Sequence, residues 1–428
     1  MDRFDVVIVG TGPAGLGAAF HLTARRPGLS VLVLDREKTS TGGLRNDCKM
    51  NFTYPVGFPL ANWTREQAEH FLNLTIADLQ PSILDKHNVS VYCRRAAKLG
   101  VDLLDIRQAH FGTDGGLRLI ERLMTELAAR GVHVRLEEEA RAIRPVEQVL
   151  ETSKGDYRYG DLVLAPGRHG SGFLQSVMES LQIPFVDHVV DIGIRVETTE
   201  AQYPIVRDYY DPKFFFPEQV RTFCTNSRRA YVSQERYEAR NGQAYGSVNG
   251  HAYAEATREN GLVNFALLRT VMLTEPVASG QQFAEMLGLQ AMLMGGGRPI
   301  MQRVGDFRLG KRSKAATFNG DLYHFRPSLD DCCPGDISMA VPAKILRGIW
   351  RAMKLLDTIV PGVLHPSTIM YYPEIKLYGN KPVFIDGCFQ AKPHVYLVGD
   401  GAGTSRGITA AWASGIRAAT GILGEPIL

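Results

Sequence analysis

One short segment near the start of the chain constrains the fold more than any other. The apolar run from Phe4 to Val9 is typical of a buried parallel strand, and Gly10-Thr11-Gly12-Pro13-Ala14-Gly15 follows it directly. An apolar-periodic stretch then predicts a helix, and a second apolar strand, Val31 to Leu34, ends at Asp35. This is a β-α-β unit with G-x-G-x-x-G and an acidic residue twenty positions after the last glycine. The pattern predicts a dinucleotide-binding α/β fold.

Each residue type in this motif has a physical reason. Gly10 permits a tight turn, Gly12 lets the backbone approach a pyrophosphate, and Gly15 lets the helix pack close to the sheet. The pyrophosphate would lie on free N–H groups at the helix N-terminus, favoured by about 0.3–1 kcal/mol per charge. Asp35 would accept hydrogen bonds from a ribose diol and repel a 2′-phosphate. The alternative is a glycine-rich turn that binds no ligand.

A second glycine-rich loop near the other end of the sequence favours FAD as the dinucleotide. The strand pattern His394 to Val398 leads into Gly399 to Gly407, and Ile408 to Ile422 then predicts a helix. Many flavoproteins complete their FAD site with a strand that ends in Gly-Asp before such a loop. Asp400 would take a ribityl hydroxyl, and the helix dipole would stabilise negative charge at the pyrimidine edge of the flavin.

Two further segments support this interpretation. The doublet Gly42-Gly43 comes soon after Asp35, and the strand and loop LVLAPGR spans Leu162 to Arg168. Both recur in such flavoproteins, so four features occur in the expected order. Thr404 and Ser405 are expected to cap the final helix, because hydroxyl side chains accept hydrogen bonds from free N–H groups. The alternative is an ordinary capped helix.

The middle of the chain predicts a second domain. After Gly170 the sequence changes to longer β-type runs, with helices predicted near Gln281 to Met294 and Pro342 to Ile359. We expect an α/β fold with a Rossmann-type FAD-binding domain over 1–60, 105–170 and 385–428. An inserted α+β substrate or cap domain would cover 61–104 and 171–384.

Composition narrows the class of protein. The 428 residues include 48 basic and 45 acidic ones, so the net charge of +3 gives no reason to expect nucleic acid as a partner. No apolar run approaches the length of a membrane span, so no membrane partner is expected. Six cysteines without CxxC spacing indicate free thiols and a reducing compartment. With no room for a signal peptide before the first strand, we expect a cytoplasmic protein.

From Val9 to its end, the chain resembles the uncharacterised FAD-dependent dehydrogenases among the two-dinucleotide-binding-domain flavoproteins. The resembling stretches are HFGTDGGL (110–117), VDIGIRVE (190–197), YYDPKF (209–214), VRTFC (220–224), SVNGHAY (247–253), QRVGDFRLGKRS (302–313), PGDIS (334–338) and GDGAGTSRGI (399–408). The resemblance implies a glutathione-reductase-like FAD domain of the second subfamily type. It also implies that backbone at Ala140 holds the adenine. It does not supply a substrate.

The expected cofactor-binding residues come from these motifs and this resemblance. They are Gly10, Thr11, Gly12, Pro13, Ala14, Gly15, Asp35, Arg36, Gly42, Gly43, Ala140, Ala165, Pro166, Gly167, Gly399, Asp400, Arg406, Gly407 and Ile408.

One departure from the family pattern concerns Cys48. Relatives tend to read Ser-Asp-Gly-Lys where this chain has Asn46-Asp47-Cys48-Lys49, in a segment that usually runs close to the flavin. A redox or nucleophilic thiol is one interpretation. A small buried residue in place of glycine is the other.

Candidates for substrate chemistry lie in the middle domain. Forked guanidinium groups suit a carboxylate or phosphate, so four arginines predict an anionic or zwitterionic substrate, unless they form salt bridges. They are Arg221, Arg303, Arg308 and Arg312. His251 is a candidate general base or a structural hydrogen-bonding residue. Tyr378 and Arg406 are expected to face the flavin.

Three functional classes follow. No second G-x-G-x-x-G is followed by an acid, and Gly295-Gly296-Gly297 is typical of a helix stop, so a separate NAD(P)H domain is not expected. The first class is therefore an FAD-dependent dehydrogenase or oxidase that takes a hydride from a small organic substrate to flavin N5, with O2 or another acceptor. The second is an NAD(P)H-dependent flavin reductase or monooxygenase. The third is a non-catalytic or RNA-directed flavoprotein.

Overall fold

In the computed structural model, the chain forms two compact units. The structure describes residues 1–39, 42–187, 189–239, 241–253, 259–277, 279–319 and 325–427. Unit 1 comprises Met1–Ile83, Ile106–Asp187 and Tyr378–Leu428, and unit 2 comprises Leu84–Asp105 and His188–Leu377. Unit 2 is thus inserted at two points into the sequence of unit 1.

A largely parallel sheet forms the centre of unit 1. Its eight strands within the described residues are β1 (Asp2–Val9), β2 (Val31–Leu34), β6 (His133–Arg135), β7 (Ala140–Arg144), β8 (Val149–Thr152), β9 (Asp156–Leu164), β21 (Gln390–Lys392) and β22 (Val395–Leu397). The order is β21-β22-β9-β1-β2-β6, and β8 joins β9 to β7. From β22 to β6 all neighbours are parallel, so their carboxyl ends lie along one edge of the sheet.

Helices and two small sheets complete unit 1. The helices are α1 (Pro13–Arg25), α2 (Arg65–Leu79), α4 (Gly112–Ala129), α5 (Ser171–Ser180) and α11 (Ile408–Leu423). The small sheets pair β3 (Lys49–Asn51) with β5 (Gln108–His110), and β10 (Phe185–Val186) with β20 (Lys381–Pro382). The predicted β-α-β unit and the predicted C-terminal strand and helix are both present, with ends within a few residues of the predicted ones.

The sequence of β1 explains why helices cover both faces of this sheet. Val6 and Ile8 point into the apolar cluster that contains residues of α1 and α11. Val7 and Val9 point into the opposite cluster, which contains Leu174 of α5. Successive side chains of a strand alternate between faces, so a continuously apolar strand requires a cover on each side. Unit 1 is therefore a three-layer α/β fold of the Rossmann-like type.

Helices α1 and α11 bring the two predicted nucleotide-binding ends of the sequence together. A Cβ on Gly17 would lie 2.5 Å from the Trp412 carbonyl oxygen. A Cβ on Gly415 would lie 1.9 Å from the Ala14 carbonyl oxygen. Neither distance is possible between real atoms, so only glycine lets the two backbones approach this closely.

Unit 2 is built on a mostly antiparallel sheet. Its strands within the described residues are β4 (Asp102–Leu104), β11 (Val189–Thr199), β12 (Lys213–Phe216), β13 (Val220–Asn226), β16 (Leu262–Met272), β17 (Ile300–Arg303), β18 (Cys333–Pro334) and β19 (Ile369–Leu377), in the order β18-β17-β19-β11-β16-β13-β12-β4. A separate hairpin pairs β14 (Ala230–Glu238) with β15 (Ala244–Ala252). The helices are α3 (Val89–Ala97), α6 (Ile205–Asp208), α7 (Gly280–Met294), α8 (Val304–Arg308), α9 (Ala315–Asn319) and α10 (Ala343–Ile359). Helix α7 ends at Gly295, as the glycine run predicts.

One buried arginine connects the strands of unit 2. Arg195 on β11 is fully buried and donates two hydrogen bonds to Glu374 of β19, at 2.7 and 2.5 Å. Its remaining N–H groups reach the Cys224 carbonyl of β13 at 2.9 Å, the Asn264 side chain of β16 at 3.2 Å and the Asn249 side chain of β15 at 3.3 Å. A buried charge requires such pairing, so this arginine holds five strands in register.

The units differ from the expected domains at their boundaries. Residues 61–83, 171–187 and 378–384 were expected in the substrate domain and lie in unit 1. The reason is long-range packing. Trp63 Nε1 donates to the Thr404 carbonyl at 2.7 Å, and Trp412 Nε1 donates to Asp78 at 2.9 Å.

No helix among the described residues is both long enough and apolar enough to cross a lipid bilayer.

Candidate functional site

The expected cofactor residues of unit 1 lie largely on loops at one edge of the sheet. Gly10, Asp35, Ala165 and Gly399 come directly after or within two residues of the ends of β1, β2, β9 and β22. Hydrogen bonds fix these ends to each other: Gly10 N–H donates to the Leu34 carbonyl, and Ala165 N–H donates to the Val9 carbonyl, each at 2.8 Å. In open α/β sheets, ligands bind at this carboxyl edge.

The three glycines of the N-terminal motif differ in what requires them. Gly10 has φ +109°, and a Cβ there would lie 2.3 Å from the Ala165 carbonyl oxygen. A Cβ on Gly15 would lie 1.9 Å from the Gly10 carbonyl oxygen. Gly12 has φ −73°, and a Cβ there would meet nothing within 4 Å. The fold itself explains Gly10 and Gly15, whereas neither packing nor backbone conformation explains Gly12.

The space beside Gly12 lies at the start of α1. Gly12 is the N-cap residue, Pro13 follows it, and no side chain caps this end of the helix among the described residues. Uncapped N–H groups with a positive dipole end are a ready-made binding site for an anion. The open space that a Cβ on Gly12 would fill therefore fits a pyrophosphate.

Asp35 is positioned by the glycine loop. Its Oδ2 accepts from Thr11 N–H at 2.8 Å and from Thr11 Oγ1 at 2.7 Å, and its Oδ1 accepts from Glu37 N–H at 3.0 Å. The half-exposed Arg36 pairs with Glu37 at 3.3 Å. Ala140 begins β7, and the segment before it is tied to Asp35, since Glu138 N–H donates to the Asp35 carbonyl at 2.9 Å. The structure thus brings the expected ribose and adenine residues into one part of unit 1.

The C-terminal loop packs onto the N-terminal motif. A Cβ on Gly399 would lie 3.1 Å from Ala14 Cβ, and one on Gly401 would lie 2.4 Å from the Gly167 carbonyl oxygen. One on Gly43 would lie 2.9 Å from Ile408. These contacts bring the two ends of the sequence together in unit 1.

The predicted cap of α11 is wrong. The N-cap residue is Gly407, and no side chain caps it in the usual position. Thr404 Oγ1 instead accepts from Gly399 N–H at 2.8 Å, and Ser405 Oγ donates to Asp400 Oδ1 at 2.8 Å. A short 3₁₀ turn at Asp400–Ala402 precedes Thr404 and Ser405, so their hydroxyls bond to residues that come before them in the chain. The Asp400 carboxylate accepts from Gly407 N–H at 3.0 and 3.1 Å.

Three basic side chains lie in or beside this loop. The Arg406 guanidinium lies 3.2 Å from the centre of the Tyr378 ring, so these two expected residues are in contact. Burial, together with the positive charge of Arg406, lowers the pKa of Lys381. Arg168 lies 3.7 Å from Asp400. Lys381 was not predicted, because it lies outside every motif and only the fold brings it near Arg406.

Cys48 lies in the apolar core of unit 1. Its side chain is fully buried, and burial raises the pKa of the thiol far above its usual range. A Cβ on Gly116 would lie 3.1 Å from Cys48 Cβ, which indicates tight packing. A thiolate is the reactive form, so this environment favours the small buried residue over the nucleophile. None of the six cysteines, all of which are described, forms a disulfide, and this includes the adjacent pair Cys332-Cys333.

The candidates in unit 2 do not form one cluster. His251 is half-buried on β15 and stacks on Tyr231, with ring centres 5.6 Å apart. Arg303 is buried and donates to the Ser367 carbonyl and, at 2.9 Å, to the Phe325 carbonyl.

The other three arginines also have separate surroundings. Arg221 pairs with buried Asp191 at 2.6 Å. Arg308 and Arg312 are exposed, and Arg312 donates to the Pro334 carbonyl at 3.1 Å. Arg221 thus forms an ion pair within unit 2, and Arg303 donates to backbone carbonyls, so the fold already uses both guanidinium groups.

Comparison with known proteins gives a match confined to a small part of the chain. The model of the Thi4 family matches residues 1–72, which include β1, α1 and β2. The FAD-containing monooxygenase EthA of Mycobacterium tuberculosis is 37% identical over 75 residues, 16% of this chain. EthA of Mycolicibacterium smegmatis is 37% identical over 71 residues, 15% of this chain. The match spans only 15% and 14% of the length of these relatives.

Similarity to solved structures covers the whole chain but is remote. L-proline dehydrogenase from P. horikoshii has a TM-score of 0.43 and 11% identity, over 99% of this chain and 95% of that one. Glycine oxidase from Geobacillus kaustophilus has a TM-score of 0.43 and 12% identity, over 100% of this chain and 96% of that one. Similarity at this level does not specify an activity.

Proposed function

We propose that the chain is an FAD-dependent oxidoreductase, a dehydrogenase or oxidase acting on a small organic substrate. Unit 1 would be a glutathione-reductase-like FAD domain of the second subfamily type, and unit 2 would contribute the substrate side. The open space beside Gly12 carries the proposal, because a ligand-free turn accounts for Gly10 and Gly15 but leaves Gly12 without a reason. The FAD-containing relatives support the choice of dinucleotide.

Each part of the cofactor has residues that would hold it. The first turn of α1, from Gly12 to Gly15, would take the pyrophosphate. Asp35 would accept from the ribose, and backbone at Ala140 would hold the adenine. Asp400 and the N-terminus of α11 at Gly407 would lie at the ribityl chain and the flavin. Gly42, Gly43, Ala165, Pro166 and Gly167 would line the same site.

When bound, the flavin supplies a two-electron acceptor that takes a hydride from the substrate at N5. The residues of this chain would set its electrostatic surroundings. The α11 N-terminus carries a positive partial charge, and Arg406 and Lys381 add two cations on the same side. Such preorganised positive charge stabilises negative charge where it develops. We also propose an anionic or zwitterionic substrate. Arg221 and Arg303 do not support this part of the proposal, because their guanidinium groups are already bound within unit 2.

Spectroscopy and a pair of glycine variants test the cofactor. We expect purified protein to be yellow and to release FAD on denaturation, identified by chromatography. Gly12→Ala should weaken FAD binding at least about tenfold, since its Cβ occupies the space of the pyrophosphate. Gly172→Ala, on α5, is the control, because its Cβ also meets nothing within 4 Å and Gly172 is not one of the expected cofactor residues. Equal FAD affinity in both variants would contradict the proposal.

The monooxygenase or reductase alternative is supported by the similarity to the FAD-containing monooxygenase EthA. NADPH added without oxygen distinguishes the two: rapid bleaching of the flavin absorbance supports the alternative, and bleaching only by an organic substrate supports the proposal. We expect the second result in a screen of amines, amino acids and hydroxy compounds. The free thiols are consistent with the cytoplasmic location that we propose.

A further inference from the structure

Unit 2 carries a strongly basic surface that the balanced charge of the whole chain conceals. Residues 308–314 and 344–354 together contain eight basic residues and no acidic one. The first stretch exposes Arg308, Lys311, Arg312 and Lys314. The second, on α10, exposes Lys344, Arg347, Arg351 and Lys354, at a spacing that places them along one side of the helix. We name these eight side chains the basic ridge.

Direct contacts join the two stretches into one surface. The Gln302 side chain donates to the Lys311 carbonyl at 2.8 Å and accepts from Ile337 N–H at 3.0 Å. Ile337 lies in the turn just before α10. The Phe307 and Trp350 rings contact each other with centres 4.7 Å apart. The basic ridge is therefore continuous within unit 2.

Two cations of the basic ridge lie where they do not stabilise helix α10. Lys344 and Arg347 lie near the N-terminus of α10, where the first turn contains no acidic residue. Cations at that end oppose the helix dipole. A position that is unfavourable for the helix itself suggests a role in binding something else.

The acidic residues near the basic ridge are occupied locally. Asp306 accepts from Ser313 Oγ at 2.6 Å, and Asp336 accepts from Ser338 N–H at 2.9 Å. Glu218 pairs with Arg351 of the ridge at 3.1 Å and also with Arg269, outside the ridge, at 3.4 Å. Eight cations against these three carboxylates leave a net charge of +5.

Two exposed aliphatic side chains distinguish between polyanionic partners. Leu309 is 69% exposed and Met339 is 64% exposed, next to the two basic stretches. Single-stranded nucleic acid is bound by stacking its bases on exposed aromatic rings. Here Phe307 and Trp350 are half-buried against each other. Cations flanking aliphatic side chains are instead typical of surfaces that lie in the headgroup region of a bilayer.

We propose that the basic ridge docks unit 2 on a membrane surface rich in anionic lipid. The cations would hold the lipid phosphates, while Leu309 and Met339 would enter the interface between headgroups and acyl chains. This is peripheral binding and needs no membrane-spanning helix. It does not depend on the proposed cofactor.

Vesicle flotation of the full chain tests the proposal. We expect binding to vesicles of phosphatidylcholine with phosphatidylglycerol, but not to phosphatidylcholine alone. Raising the NaCl concentration about fivefold should weaken binding at least about tenfold, because salt screens exposed charges. Equal binding to both kinds of vesicle would overturn the proposal.

Matched variants separate the surface from total charge. Lys311→Gln, Lys314→Gln, Arg347→Gln and Lys354→Gln, combined in one chain, should weaken vesicle binding at least about 30-fold. The control combines Arg3→Gln, Arg26→Gln, Lys154→Gln and Arg158→Gln, four exposed cations of unit 1, and should change binding less than about threefold. An equal loss in both would show a general charge effect and contradict a specific surface.

A third variant addresses the partner class. Leu309→Ser with Met339→Ser keeps all eight cations, so it should weaken vesicle binding about tenfold while leaving the salt dependence unchanged. If this variant binds vesicles normally, or if single-stranded RNA competes for the basic ridge more tightly than the vesicles bind, the membrane assignment is wrong.

Discussion

The two units place their polar groups in opposite ways. At the carboxyl edge of unit 1, the first turn of α1 has no side-chain cap, and the space beside Gly12 is open. At the centre of unit 2, Arg195 is fully buried, and its guanidinium donates to the Glu374 carboxylate and to the Cys224 carbonyl. Open donors suit a ligand, whereas a paired buried charge stabilises or specifies the fold.

Motifs of the two units that look alike in the sequence have different roles in the structure. VDIGIRVE contributes Arg195, and SVNGHAY contributes Asn249, which accepts from it at 3.3 Å. A Cβ on Gly250 would lie 2.0 Å from the Asn264 side-chain oxygen, so this glycine also serves the buried network. These two middle motifs belong to a scaffold, while the two terminal glycine motifs belong to the proposed cofactor site.

The largest effect is expected where a buried partner is removed. Glu374→Leu leaves the Arg195 charge buried without its carboxylate and should lower the free energy of unfolding by about 3–5 kcal/mol. Denaturant unfolding measures this. Arg195→Met combined with Glu374→Leu should recover most of the loss, since two apolar side chains replace the pair. If the single variant is as stable as the parent, the cluster is not a scaffold.

A smaller loss of stability is expected when Gly15, which the fold requires, is replaced. Gly15→Ala places a Cβ against the Gly10 carbonyl and should lower the free energy of unfolding by about 1–3 kcal/mol. Gly12→Ala should leave stability of the cofactor-free protein unchanged, because its Cβ enters open space. Thermal unfolding of both variants measures the difference. Equal destabilisation would remove the distinction between a structural glycine and a binding glycine.

The smallest effect on stability is expected at Lys381, which interacts with the positive charge of Arg406. Burial and Arg406 lower the pKa of Lys381 in the folded state below its value in the unfolded chain. Between those two pKa values the unfolded chain binds more protons, so stability should rise as pH increases through that window. Lys381→Met should remove this rise and slightly stabilise the protein at neutral pH. Unfolding measured from pH 7 to about pH 10 tests this, with the exposed Lys98→Met as control.

Local sequence was sufficient for the elements that carry the cofactor motifs. The predicted strand Val31 to Leu34 matches β2, and the predicted helix from Ile408 begins where α11 begins. Apolar periodicity and glycine positions are local signals, so they can be read without the fold. The glycine roles at Gly10 and Gly15 follow from the same signals.

Long-range contacts explain what the sequence did not predict. Arg303 has the residue type of an anion-binding group, but its carbonyl partners come from distant loops. Lys381 belongs to no motif and gains its electrostatic environment only from the fold. The hydroxyls of Thr404 and Ser405 fit the cap pattern, yet the 3₁₀ turn before them changes their partners. Burial and pairing of this kind depend on tertiary structure.

The glycine crossing of α1 and α11 has a consequence for biosynthesis. About 400 residues separate Gly17 from Gly415, so α1 emerges from the ribosome long before the helix that covers it. During that interval the face of α1 around Gly17 is uncovered, and the nascent chain exposes apolar surface that chaperones recognise. Unit 1 can therefore complete the packing around α1 only after α11 has been synthesised.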